Sequence, residues 1–183
     1  MHDEALIVLP QVLDAFEIQR PILIGHSDGG SIALIFSGSR PESPSALILE
    51  APHVFVEDLT VSSIAQLRDR YATTDLRTRL ARHHANVDSL FRDWTDIWLS
   101  PDFRAWNIEE SLPAVRARTL LIQGLDDEYG TSRQVDTIAS GIDAPSETLM
   151  LGACGHAPHI DQRAAVETTM ARFISRCISA FEG

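Results

Sequence analysis

Three short stretches of this chain carry side chains that together could do nucleophilic chemistry. GHSDGG, residues 25–30, places Ser27 between the apolar run PILIG and the segment SIALIF. GLDD, residues 124–127, follows TLLIQ, and the GH pair at 155–156 follows ETLML after a short loop. A serine hydroxyl is a weak nucleophile and needs a base. An imidazole acting as that base needs an acid that sets its tautomer and stabilises the imidazolium. Ser27, Asp127 and His156 offer nucleophile, acid and base in the chain order Ser, acid, His. The chemistry they imply is attack on a carbonyl carbon, with an acyl intermediate that water releases.

Each residue of GHSDGG has a physical reason to be there. A tight strand-to-helix turn puts the serine at its tip and strains the backbone around it. Gly25 and Gly29 are expected to remove side chains that would clash in that turn. The backbone N–H of Asp28, at the start of the next helix, is the expected oxyanion-hole donor, helped by the positive end of the helix dipole. A GxSxG string alone is common. Between a buried strand and a helix it is far more specific.

Other residues compete for these roles. Asp126 becomes the acid if the register slips by one, and Glu50, ending ALILE, is a second alternative. The bland reading of both is a solvated loop carboxylate or a helix cap. His159 reads as a structural continuation of the histidine loop, and His26 as packing or hydrogen bonding that steadies the turn. His53, after a strand end, is a weaker pocket candidate. His83 and His84 are adjacent on a helix, so they point apart and make a poor metal pair. Cys154 reads as a small buried side chain rather than a thiol nucleophile. Phe91, Trp94, Trp98 and Trp106 read mainly as core of a helical segment.

The elements that must position these groups alternate. Apolar runs at 21–25, 46–50, 119–124 and 147–151 read as strands buried on both faces of a parallel sheet. Helices are predicted over 3–16, 29–38, 131–140 and 161–181. The first carries Leu6, Leu9, Leu13 and Phe16 at helical spacing, interrupted by Pro10, which should kink it. The last carries Ala165, Thr169, Phe173, Ile174, Cys177, Ile178 and Phe181. Alternating strand and helix is the signature of an α/β fold. Residues 53–115 break the alternation and read as a helical insertion, with a stripe of Leu90, Trp94, Ile97 and Trp98.

The 183 residues suit a single α/β core, formed by 1–52 and 116–183 around that insertion. A net charge of −11 argues against nucleic acid and anionic membrane surfaces as partners. The two cysteines lie outside metal-ligand spacings, and the N-terminal apolar run follows no basic region. A cytoplasmic chain with two free thiols is the expectation.

GHSDGG, LLIQGLDDEYG and LGACGHAPHID resemble, in that order, the nucleophile elbow, acid loop and histidine loop of the α/β-hydrolase superfamily. The resemblance covers nearly the whole chain, with 53–115 in the place of the family's variable cap. It implies catalytic Ser27, Asp127 and His156, an oxyanion donor at Asp28, no metal or organic cofactor, and a small-molecule carbonyl substrate: an ester, an amide, or a C–C bond beside a ketone. The family fold has eight strands and its nucleophile follows the fifth, so the resemblance also implies a partial, N-terminally truncated fold of about four strands. Its second oxyanion donor often comes from an HG pair, and none stands before Ser27. Two further expectations follow. Strand 21–25 is an exposed apolar edge through which the chain could form a homo-oligomer. A non-catalytic remnant, or half of an assembly that restores the sheet, is the alternative to an active hydrolase.

Overall fold

The computed structural model describes residues 1–179, which form two compact units. One comprises Met1–Val54 and the residues from Ile108 onward; the other is Phe55–Asn107. In the first, a π-helical turn, Glu4–Val8, leads into α1 (Leu9–Ala15), β1 (Ile22–His26), α2 (Asp28–Ser39) and β2 (Ala46–Glu50). The second holds α3 (Asp58–Thr73), α4 (Leu76–Leu80) and α5 (Val87–Leu99). The chain then returns to the first through β3 (Arg118–Gly124), α6 (Ser132–Gly141), β4 (Ser146–Leu151), α7 (Pro158–Asp161) and α8 (Arg163–Ser179).

The four strands are parallel and lie in chain order, β1-β2-β3-β4. All five residues of β2 are buried, as a central strand covered on both faces requires. On one face Ala46, Ile48, Leu120 and Ile122 pack against Val166, Phe173 and Cys177 of α8. Leu47, Leu49 and Leu121 alternate with these and are also fully buried. Phe173 is completely buried, so truncating it to alanine would cost about 3–5 kcal/mol. The register sets His26 opposite Glu50, Glu50 opposite Ile122, and Gly124 opposite Leu151. The C-terminal ends of the strands therefore finish close together, the edge where parallel α/β sheets gather functional loops. Among the described residues β1 pairs with β2 alone, and its Ile24 is 57% exposed.

Several helix faces differ from the sequence expectation. Leu6 and Phe16 are exposed, and the buried side is Ala5, Pro10 and Leu13. The π-helical turn is the reason: its wider repeat brings residues five apart into line, so Ala5 falls above Pro10. Pro10, near the start of α1, sits where its missing N–H costs least. The last helix is broken at Gln162 into α7 and α8. Val166 is buried in place of Ala165, and Ile178 is exposed. Phe181 lies outside the described residues.

Within the helical unit, α3 packs against α5. Tyr71 stacks on Phe91 with ring centroids 3.9 Å apart. The Tyr71 hydroxyl donates to Asp88 Oδ1 at 2.7 Å, and Arg77 donates to both Asp88 oxygens at 2.8 and 2.6 Å. These hydrogen bonds, Arg77 first, hold the Asp88 carboxyl down to about 2. Trp98, Phe103 and Trp106 form a second aromatic group, and Phe55 bridges Asn107 where the unit begins and ends. The buried stripe of α5 is Val87, Phe91, Thr95 and Trp98, while Leu90 and Ile97 are exposed. The apolar side of this helix is wide enough for two stripes, and the Tyr71 ring of α3 covers the one through Phe91. Among the described residues no helix is long and apolar enough to cross a membrane.

Candidate active site

Ser27 occupies the single residue between β1 and α2, at φ 55° and ψ −121°. A positive φ on a non-glycine residue is strained and persists only when its surroundings impose it. Here Ser27 N donates to Glu50 O at 2.9 Å, and Ser27 O accepts from Gly30 N at 2.9 Å. The turn is so tight that a Cβ on Gly25 would lie 2.4 Å from Gly29 O. Gly25 is therefore obligatory for the reason expected. Gly29 is not: a Cβ there meets nothing within 4 Å, and Gly30 is the crowded one, with Pro52 Cβ at 2.9 Å. The close approach uses Gly29's backbone, not its missing side chain. Asp28 opens α2, so its N–H lies at the positive end of the helix dipole.

The acid comes from the loop after β3. Asp127 is 8% exposed, whereas the adjacent Asp126 is exposed. The Asp127 carboxylate is heavily bonded. Oδ1 accepts from Tyr129 N at 2.8 Å and Gly130 N at 3.2 Å, and Oδ2 accepts from Gln123 Nε2 at 3.0 Å.

The histidine comes from the loop after β4. Leu125 N donates to Leu151 O, and Asp126 N to Cys154 O, tying the acid and histidine loops together. They meet at Gly124, where a Cβ would stand 2.1 Å from Cys154 O and 2.3 Å from Gly155 O. Gly155 N donates to Asp161 Oδ2 at 2.8 Å, and His156 N to Glu128 Oε2 at 3.2 Å.

The three side chains, up to 129 residues apart, meet in one line. His156 Nε2 is 2.9 Å from Ser27 Oγ, and His156 Nδ1 is 2.9 and 3.0 Å from the Asp127 oxygens. An ionised Asp127 can only accept, so Nδ1 carries the proton and Nε2 is left to accept from the Ser27 hydroxyl. That is the arrangement a general base requires.

Three further histidines, His26, His53 and His159, cluster around this line. His26 Nε2 donates to His156 O at 2.6 Å, and the two rings are 5.0 Å apart. Burial pushes the His26 imidazole below its ordinary value of 6.5, outweighing the hydrogen bond to His156 O. Glu50 does not reach His156. It is buried, and its Oε2 accepts from His159 N and His159 Nδ1, both at 3.1 Å, capping α7. The His53 ring stacks on His156 at 5.7 Å, and the Tyr129 ring lies 4.8 Å away. Cys154 is buried, and burial pushes its thiol up, which suits packing and not nucleophilic attack. Sequence reading did not single out Gln123, Glu128 or Asp161. Gln123 lies inside an apolar strand run, and the two acids carry no signal apart from their loops.

A sheet of parallel strands with a strained serine turn, an acid loop and a histidine loop at its C-terminal edge defines the α/β-hydrolase class. The profile of the Alpha/beta hydrolase family matches residues 2–169, and the chain belongs to that family. It is similar to 2-hydroxymuconate semialdehyde hydrolase of Pseudomonas sp. (strain CF600), 26% identical across 92% of this chain and 67% of the relative. Among solved structures it resembles a meta-cleavage product hydrolase from Pseudomonas fluorescens, with a TM-score of 0.67 and 18% identity over 96% of this chain and 72% of that one. It also resembles a thermophilic esterase from Thermogutta terrifontis, with a TM-score of 0.62 and 18% identity over 92% and 70% of the two chains. At these identities the structural likeness speaks for the fold alone.

Proposed function

We propose that the chain is a serine hydrolase acting on a small carbonyl compound, with Ser27 as nucleophile, His156 as general base and acid, and Asp127 as its orienting partner. The observation that carries this reading is the unbroken hydrogen-bonded line from Ser27 Oγ through His156 to Asp127. In the first half-reaction the Ser27 oxygen bonds to the carbonyl carbon while its proton passes to His156 Nε2. The resulting imidazolium, stabilised by Asp127, gives that proton to the leaving group as the carbonyl re-forms. Water then repeats the sequence on the acyl-serine, and the proton returns to Ser27. The N–H of Asp28 is positioned in the chain to donate to the oxyanion. In chain order the helical unit between β2 and β3 takes the place of the family's cap.

Relatives are named for 2-hydroxymuconate semialdehyde, for meta-cleavage products and as an esterase. An ester and a C–C bond beside a ketone both belong in the substrate panel. The first test is p-nitrophenyl acetate turnover by the wild type and by Ser27→Ala. The expected loss is at least about 1,000-fold. Equal rates in the two proteins would return the chain to the non-catalytic reading.

A further inference from the structure

We infer that Gln123 is a positioning residue for the acid–base pair: its buried amide holds Asp127 in the plane that serves His156. The inference rests on the serine-hydrolase reading above. Gln123 is the penultimate residue of β3 and is 1% exposed. Its Nε2 donates to Asp127 Oδ2 at 3.0 Å and to Gly130 O at 2.8 Å, which uses both amide protons. The opposite amide orientation would set Oε1 against two oxygens, so the assignment is fixed by its neighbours.

Two observations separate this role from ordinary core packing. First, the Gln123 Oε1 is buried with no hydrogen-bond partner among the described residues. A buried acceptor left unpaired carries an uncompensated desolvation cost, and an apolar side chain of similar size would avoid it. What Gln123 does through Nε2 is what an apolar residue cannot do. Second, the two oxygens of Asp127 are held differently. Oδ1 is pinned by the two backbone N–H groups of Tyr129 and Gly130, whereas Oδ2 has Gln123 as its donor besides His156. Fixing both oxygens sets the rotation of the carboxylate. Without Gln123 the carboxylate pivots about Oδ1, and the two-oxygen contact with His156 Nδ1 is lost.

The test is Gln123→Met, which keeps volume and removes both donors. The control is Gln134→Met: Gln134 is equally buried and accepts from Val54 N. For each variant kcat and KM are measured with p-nitrophenyl acetate. Gln123→Met should lower kcat about tenfold at unchanged KM. Gln134→Met should lose stability and change neither quantity. An unmoved kcat in Gln123→Met, or an equal loss in Gln134→Met, overturns the inference. If wild-type turnover does not depend on Ser27, the serine-hydrolase reading fails; Ser27-dependent turnover that Gln123→Met leaves unmoved overturns this inference alone. Should Gln123→Met not fold, Gln123→Leu takes its place with the same expected and refuting outcomes.

Discussion

Gly124→Ala tests whether turnover depends on the close approach of the acid and histidine loops. A Cβ at this position would stand 2.1 Å from Cys154 O, against the 3.0 Å that real Cβ contacts respect. The loop must therefore retreat by about 0.9 Å, because the obstacle is backbone and cannot rotate aside. Gly155 O, at 2.3 Å, blocks the same direction. The retreat carries His156, the next residue, away from Asp127 and out of line with Ser27. A misplacement near 1 Å costs on the order of 100-fold in turnover. Forcing an extra methyl into a packed region costs about 1–3 kcal/mol of stability. Gly152→Ala is the matched control: it lies in the same loop, has no positive φ, and its added Cβ meets nothing within 4 Å. Steady-state hydrolysis of p-nitrophenyl acetate and urea denaturation of both variants supply the readouts. Gly124→Ala should lose kcat with KM nearly unchanged, and Gly152→Ala should match the wild type in both assays. Wild-type turnover in Gly124→Ala, or equal damage in Gly152→Ala, would refute the reasoning.

Two further outcomes are expected. His26 is partly buried and its imidazole is held below the ordinary 6.5, so between its folded value and 6.5 the unfolded chain binds the extra proton. Its contribution to stability is whole above pH 6.5 and is lost as the pH falls toward the folded value. Urea midpoints measured across this range should therefore fall less steeply with acid in His26→Gln, and parallel curves would contradict the assignment. Glu50→Leu removes the carboxylate that accepts from His159 N and His159 Nδ1, leaving the start of α7 uncapped. The expected loss is about 1–2 kcal/mol by chemical denaturation, and an unchanged midpoint would show that this pair adds nothing to the fold.

The four strands, the Ser–acid–His order and the family were legible in the sequence because they depend on local rules. A continuous apolar run between helices reads as a buried parallel strand wherever it lies. A serine between a glycine-framed strand end and a helix reads as an exposed nucleophile. Which face of each helix is buried was not legible. Apolar spacing marks α5 as amphipathic, yet Phe91 or Leu90 faces inward according to what α3 presents. At the N-terminus the π-helical turn shifts the phase by more than any fixed period allows.

The sequence alone determined the chemistry on offer: a serine, an acid and a histidine on three loops of an α/β chain. Only the tertiary structure decided which carboxylate meets the imidazole. The family resemblance favours Asp127, but Asp126 differs from it by one position and Glu50 ends a neighbouring strand, so local pattern alone leaves both as alternatives. Strand register brings Glu50 to His159 and the β3 loop to His156, and the donors from Gln123, Tyr129 and Gly130 select Asp127 over Asp126. Hydrogen bonds between residues 29 to 129 positions apart depend on how strands align in space, and no local pattern along the chain encodes that alignment.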